Sequence, residues 1–252
     1  MMNDALSGRI VLVTGASRGI GAAVAVAAAR EGADIAVCYR ERHAQADRVV
    51  EAIRALGRDA RSFAADLSVP VLARAMVKEA EGHFGRIDGL VNNAGIMPES
   101  SFLDIDDEQW DAVIRTDLYS AFACTQAVLP GMIERGKGVI VMTSSRLGQI
   151  GWPGLAHYSA AKAALLGLVK SLAREFGPMG IRVNAVAPGV TVTDMTSALV
   201  NDESGRRRLA ELPAGRFGTP EEVALTVVFL LSDAASLYHG QTLGPNGGGH
   251  MP

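Results

Sequence analysis

The sequence is short of cysteine, of aromatic residues, of one-sided charge and of long apolar runs, and each shortage closes a class of function. Two cysteines among 252 residues, Cys38 and Cys124, are too few for a disulfide framework or a metal cluster. They read as reduced thiols, and no metal site is expected. The net charge of −3 offers no basic excess for nucleic acid or for an anionic membrane surface. Apolar runs such as Val223 to Leu231, interrupted by Thr226, fall short of the ~20 residues that a membrane span needs. Met1 to Arg9 lacks the charged-then-apolar pattern of a secretory leader. A soluble cytoplasmic protein is expected. Only 5% of residues are aromatic while 48% are hydrophobic, so the interior must be aliphatic. A chain of this length can bury a large core as a single domain spanning residues 1–252.

What is present is an alternation of short aliphatic runs with helical segments. Ile10-Val11-Leu12-Val13 reads as a buried parallel strand. It enters Thr14-Gly15-Ala16-Ser17-Arg18-Gly19-Ile20-Gly21, then an alanine-rich helix to about Glu31, with Gly32 at the C-cap, then a strand over Asp34–Tyr39. Glycines between a strand and a helix let the backbone approach a pyrophosphate at a positive helix N-terminus. Here the spacing is G-x-x-x-G-x-G; a plain turn with packing glycines is the duller alternative.

The alternation continues with a helix over about 41–56, a strand over 60–64 ending in Asp66-Leu67, and a helix over 71–84. A strand over 87–91 follows, ending in Asn92-Asn93-Ala94-Gly95, and then one long helix over 107–134. Strand 139–143 leads to Ser144-Ser145, a helix carries Tyr158 to about Phe176, and strand 181–186 ends at Pro188-Gly189. Pro220 opens a helix to about Ser232, and residues 240–243 form a last strand. Alternation without linker or repeat predicts an α/β, doubly wound parallel sheet. Ligands in such sheets bind beyond the carboxyl ends of the strands, where every motif above falls.

Tyr158 and Lys162 are four apart on one helix and share a face. An ammonium beside a phenol favours the phenolate, and a phenol so tuned exchanges a proton at neutral pH. Ser145, thirteen residues upstream, is placed to bond the oxygen that receives the proton. This is equipment for making or breaking a carbonyl. The same spacing also occurs on solvated helices.

Together these residues resemble the short-chain dehydrogenase/reductase family along the whole chain. The matching stretches are Thr14 to Gly21, Asp66-Leu67, Asn92 to Gly95, Ser145, Tyr158 with Lys162, and Pro188-Gly189 followed by Thr193-Asp194-Met195. The resemblance is nearest to the 3-oxoacyl-(acyl carrier protein) reductase branch, in phrases such as Gly180-Ile181-Arg182-Val183-Asn184-Ala185. It implies a single-domain Rossmann fold of seven strands and an NAD(P)-dependent oxidoreductase. It also implies that Tyr158 is the general acid, that Lys162 lowers its pKa and holds the nicotinamide ribose, and that Ser145 orients the carbonyl. Gly15, Ser17, Arg18, Gly19, Ile20 and Gly21 would cradle the cofactor phosphates, with Asp66 and Leu67 bounding the adenine. Asn93, with Ala94 and Gly95, would help hold the adenosine ribose. Thr193, with Pro188, Gly189 and Val190, would anchor the nicotinamide end. Where the family usually carries an Asn on the long helix, this chain has Asp117. An ionised Asp accepts hydrogen bonds but does not donate them. The expectation is that Asp117 takes the proton-relay role and makes the Tyr158/Lys162 pair less acidic; local capping is the alternative.

The second strand ends Cys38-Tyr39-Arg40, without the acidic residue that holds a free ribose in NAD enzymes. Arg40 and Arg18 suit a 2′-phosphate, so NADP(H) is preferred over NAD(H), unless Arg40 is merely a solvated charge. The substrate is expected to be a small ketone or a 3-oxoacyl thioester. Basic residues that would dock a carrier protein are absent from Phe176 to Gly180, although Arg135 and Lys137 remain near the long helix. An oxidative alcohol or sugar dehydrogenase and a non-catalytic cofactor sensor are the alternatives.

A substrate lid is placed at about 194–216, where Arg206, Arg207 and Arg208 could meet an anion or form a solvated face. Trp152 and Met97 are candidates for narrowing the pocket. His157 is set aside because neighbours on a helix point to different faces. A homotetramer is the family's usual assembly, built through the long helix and the Tyr158 helix, whose Ala160, Ala161, Ala163, Ala164 and Gly167 permit close packing or face the sheet.

Overall fold

In the computed structural model, residues 4–197, 200 and 203–251 are described. Seven parallel strands form one sheet in the order β3-β2-β1-β4-β5-β6-β7. The strands are β1 (Ile10–Val13), β2 (Asp34–Tyr39), β3 (Ala60–Ala64), β4 (Gly89–Asn92), β5 (Gly138–Thr143), β6 (Ile181–Val186) and β7 (Thr242–Leu243). β1 pairs with β2 on one side, Val11 opposite Ile35, and with β4 on the other, Val11 opposite Gly89. The strand order reverses there, opening a crevice between the loops that follow β1 and β4.

Helices cover both faces because alternate strand residues bury on opposite sides. Val11 and Val13 pack with Val24, Ala28 and Val227, beneath α1 (Gly19–Arg30), α2 (His43–Arg54) and the late helix Pro220–Leu231. Ile10 and Leu12 pack with Met76, Cys124 and Leu165, beneath α3 (Pro70–Phe84), α5 (Ser120–Glu134) and α7 (Ala156–Phe176). α1 is so rich in alanine because it lies directly against the late helix.

The long helix is interrupted. α4 (Asp107–Val113) passes into a π-helical turn over Ile114–Tyr119 before α5 begins. Widening the backbone for one turn displaces its side chains from the α-helical spiral. Asp117 lies in that turn and is buried. Two further helices were not expected from the sequence: α6 (Leu147–Ile150) after the Ser145 loop, and α8 (Glu203–Ala210) within the lid region. The late helix Pro220–Leu231 is then α9. Of the lid, residues 198, 199, 201 and 202 lie outside the described ones, as does the Arg208 side chain; Arg206 and Arg207 are exposed on α8.

Candidate active site

A cleft of about 310 Å³ runs along the carboxyl ends of the strands. The loop after β1 forms its middle wall. Gly15 adopts φ +62°, and a side chain there would come within 2.9 Å of the Ala94 backbone. The Asn93 amide donates to the carbonyls of Thr14 and Gly15 at 3.0 and 3.3 Å, and the Thr14 hydroxyl accepts from the Asn93 and Ala94 N–H groups. Asn93 therefore holds the glycine loop in shape, and its amide is not free for a ribose. The cap of α1, Arg18, is extended and makes no side-chain cap, leaving the first N–H groups open toward the cleft. A glycine loop beneath an uncapped helix end fits a pyrophosphate.

The cleft brings together Ser17, Gly19, Ile20, Leu67, Ala94, Gly95, Pro188, Gly189, Val190 and Thr193 with Ser145, Tyr158 and Lys162. Met97 also lines it, whereas Gly21 and Trp152 do not. Gly21 instead packs beneath the loop, where a side chain would strike the Gly15 carbonyl. At the far end lie Arg18, Arg40, Arg42 and Asp66. Arg40 Nε meets Glu41 at 2.9 Å and Arg18 meets Asp194 of the lid region at 3.0 Å, all well exposed. Asp66 accepts from Ser68, which, with the Arg40 charge, holds its carboxyl below the usual range despite partial burial. Arg42 was missed in the sequence reading; it follows Glu41 at the mouth of α2, and only its place in the cleft reveals it.

The reaction end is dry. Lys162 and Asp117 are 3% and 1% exposed, and Lys162 Nζ lies 3.1 Å from Asp117 Oδ2. Lys162 also donates to the Thr143 carbonyl at 3.0 Å, while the Ile96 N–H donates to Asp117 Oδ1 at 2.8 Å. Gly95 is required here: a side chain would come within 2.7 Å of Asp117 Oδ2 and 3.3 Å of Lys162 Nζ. The Ser144 hydroxyl donates to the Lys162 carbonyl at 2.7 Å, pinning α7 to the end of β5. The Ser145 hydroxyl accepts from Leu147 N–H at 3.1 Å, which fixes it at the start of α6.

Burial works against the Lys162 ammonium, but Asp117 and Tyr158 outweigh it and hold its pKa above the ordinary value. Burial raises the Asp117 carboxyl, opposed by Lys162 and the Ile96 N–H. For Tyr158 the expected lowering is reversed. Burial raises the phenol, and Asp117 adds to that rise; together they exceed the lowering by Lys162 and the Ser145 hydrogen bond. The lysine still acts on the phenol, with Nζ 5.5 Å from the ring centroid, but its charge is offset by the carboxylate beside it.

A Rossmann sheet with a Ser–Tyr–Lys group at one end of the cleft and a glycine loop in the middle defines a class, and sequence comparison agrees. The family model described as enoyl-(acyl carrier protein) reductase matches residues 15–250, and the chain belongs to the short-chain dehydrogenase/reductases, oxidoreductases acting on CH–OH and C=O groups. The 3-oxoacyl-[acyl-carrier-protein] reductase FabG of Staphylococcus aureus is 45% identical over 240 residues, covering 95% of this chain and 97% of that one. Its Escherichia coli counterpart is 42% identical over 245 residues, covering 97% and 98%. Among solved structures, one described as an NAD(P)-dependent gluconate 5-dehydrogenase from Beutenbergia cavernae, with NADP bound at low occupancy, superimposes with a TM-score of 0.92 at 38% identity. It covers 96% of this chain and 97% of that chain. Among the described residues, no helix is long and apolar enough to cross a membrane and no cluster of metal-binding side chains occurs.

Proposed function

We propose that the protein is a cytoplasmic NADPH-dependent reductase that converts a ketone, either a 3-oxoacyl thioester or a small free ketone, to a secondary alcohol. The observation that carries this reading is the placement of Ser145, Tyr158 and Lys162 at one end of a cleft whose other end presents Arg18 and Arg40. The nicotinamide cofactor, when bound, supplies the hydride. The residues of this chain do the rest. The Ser145 hydroxyl orients the carbonyl oxygen, and Tyr158 donates the proton that turns the developing alkoxide into an alcohol. Lys162, held charged by Asp117, fixes the ribose and steadies the tyrosinate that remains. A phenol raised above its ordinary pKa stays protonated across the neutral range, so it holds the proton it is to donate.

Arg18, Arg40 and Arg42 line the adenosine end, and guanidinium groups match a phosphate in fork geometry. These groups support NADPH as the cofactor. The FabG relatives support a thioester substrate. Two features support a free ketone: Arg135 donates to the Ile87 carbonyl at 2.6 Å rather than standing free, and an exposed Met179 occupies the uncharged stretch after α7. A second reading, oxidation of a polyhydroxy acid or sugar, is favoured by the gluconate 5-dehydrogenase neighbour. Assembly as a homotetramer through α5 and α7 is supported by the exposed Ala160, Ala163, Ala164 and Gly167 on α7 and by exposed Tyr119 and Phe122 near the start of α5; Ala161 faces the core.

The test is cofactor consumption across 3-oxoacyl thioesters, cyclic and aromatic ketones and keto sugars, with NADPH and NADH. Turnover of any ketone with NADPH, abolished in Tyr158→Phe, is the expected result. A panel silent with both cofactors, together with oxidation of sugar acids, would replace it with the second reading.

A further inference from the structure

Among the described residues two arginines are buried, Arg182 at 8% exposed and Arg146 at 2%. Arg182 sits at the end of α9, where Nη1 donates to the Leu230 carbonyl at 2.7 Å and Nη2 to the Leu231 and Ser232 carbonyls at 3.3 and 2.9 Å. Its charge meets the negative end of a helix, and both terminal nitrogens are used. Arg146 has no such arrangement. Its Nη1 donates to the Gly249 carbonyl at 3.2 Å, and its Nη2 has no partner among the described residues. Nor does a carboxylate among those residues pair with it, although Arg18 and Arg40 in the same cleft each have one. Burial lowers its pKa against the charge of Glu211, but a guanidinium stays ionised in a protein. A buried charge ordinarily has a counter-charge, and a buried donor without a partner needs an explanation.

The place of the orphan supplies one. Arg146 directly follows Ser145, lines the same cleft as Ser145 and Tyr158, and its N–H donates to the Pro188 carbonyl at 3.0 Å. The turn over 246–250 closes over the guanidinium from the other side. Asn246 holds that turn in shape, donating to the His250 carbonyl at 3.0 Å and accepting from the Gly248 N–H at 2.9 Å. The Gly247 carbonyl accepts from the Ala214 N–H at 3.1 Å, which ties the turn to the segment after α8. A side chain at Gly249 would strike Nη1, so only glycine lets the chain pass so close. The cationic side chain is thus held in a built site beside the residue that orients the carbonyl. The cofactor phosphates have their own places, at the start of α1 and at Arg18 and Arg40. The missing anion belongs to the substrate.

We propose that Arg146 is a specificity-determining residue that binds a carboxylate of the substrate, so that the ketone reduced is a small oxo acid. This rests on the reading of the protein as a reductase. A carboxylate offers the two oxygens that a guanidinium fork matches, and it neutralises the buried charge as it enters. A neutral ketone leaves both the charge and Nη2 unpaired. Sites built for a polar partner discriminate strongly against ligands that lack it.

The experiment compares 2-oxobutanoate, 3-oxobutanoate and 4-oxopentanoate with their methyl esters, following NADPH absorbance, with NADH alongside. The parent is expected to reduce at least one acid with kcat/KM about 10²-fold or more above that of its ester. In Arg146→Leu this acid-to-ester ratio collapses by about 10²-fold, mainly through the KM of the acid. Arg146→Lys keeps the charge without the fork and recovers part of the ratio. NADPH affinity, read by fluorescence titration, is unchanged in both variants. Loss of NADPH affinity would assign Arg146 to a cofactor phosphate and overturn the proposal. Equal losses for acid and ester would make it a prop for the turn over 246–250, and would overturn it too. The parent decides the matter even where a variant fails to fold. A preference for esters, neutral ketones or 3-oxoacyl thioesters over every acid overturns the proposal and leaves the reductase reading intact. A parent that reduces no ketone with either cofactor removes that reading first, and this proposal with it.

Discussion

The two ends of the cleft hold charge in opposite ways. At the reaction end, Asp117 and Lys162 pair at 3.1 Å in a dry interior, their positions fixed by the Thr143 carbonyl and the Ile96 N–H. At the adenosine end, Arg40 and Arg18 pair with Glu41 and Asp194 at similar distances, but with side chains 50% and 38% exposed. Exposed pairs contribute about 0–1 kcal/mol, whereas breaking a buried pair costs about 3–5 kcal/mol. One end is therefore settled by folding. At the other, in the proposed reading, the arginines would exchange a weak carboxylate partner for a phosphate at little cost. The chemistry needs fixed geometry, and cofactor choice needs only available charge.

The largest expected effect removes the acid itself. Tyr158→Phe is expected to lower kcat by about 10²–10⁴-fold while cofactor affinity, read by fluorescence titration, stays unchanged. Loss of cofactor binding alongside turnover would mean that the phenol shapes the cleft rather than donating a proton. The next effect tests the dry end through packing. Gly95→Ala forces a methyl group against Asp117 Oδ2, and it is expected to cost about 1–3 kcal/mol in urea unfolding, with activity falling further than stability explains. At the wet end, Arg40→Ala is expected to raise the KM for NADPH about tenfold, with the KM for NADH unchanged and the NADPH effect weakening in salt. An equal change for both cofactors would remove Arg40 from the 2′-phosphate site. The smallest effect lies outside the cleft. Thr219 caps α9 in a reciprocal box with Glu222, and Thr219→Ala is expected to cost about 1 kcal/mol in thermal unfolding without touching activity.

The fold was legible because parallel strands buried on both faces read as aliphatic runs. Ile10–Val13, Asp34–Tyr39 and Ile181–Val186 form strands where the sequence placed them, and so does Ala60–Ala64, an edge strand exposed at Arg61 and Ala64. The cleft-lining residues were legible because the glycine loop, Asp66-Leu67, Asn92 to Gly95, Ser145 and Pro188-Gly189 follow strand ends and Tyr158 and Lys162 share one helix face. Three things were not legible. The π-helical turn breaks a helix whose periodicity looks continuous, since one wide turn leaves no mark on composition. Asn93 donates inward to the glycine loop, and only the loop's final conformation supplies the carbonyls it bonds. The Tyr158 phenol rises although a lysine sits one turn away, because the fold buries it and brings Asp117, 41 residues earlier in the chain, against that lysine. Spacing along one helix shows which groups are neighbours, but not what else the fold brings to them.

The most direct test of this account is the pH dependence of Asp117→Asn, measured in both directions of the reaction. The substitution keeps the shape and removes the charge that offsets Lys162. Reduction requires the protonated phenol and fails as pH rises through the Tyr158 pKa; oxidation requires the phenolate and rises through the same value. With the carboxylate gone, Lys162 acts on the phenol unopposed, so both limbs are expected to move to lower pH together, and reduction to lose rate at alkaline pH. Limbs that stay where they are in the parent, with folding intact, would contradict the claim that the Asp117 carboxylate, by offsetting Lys162, adds to the rise that burial gives the Tyr158 phenol.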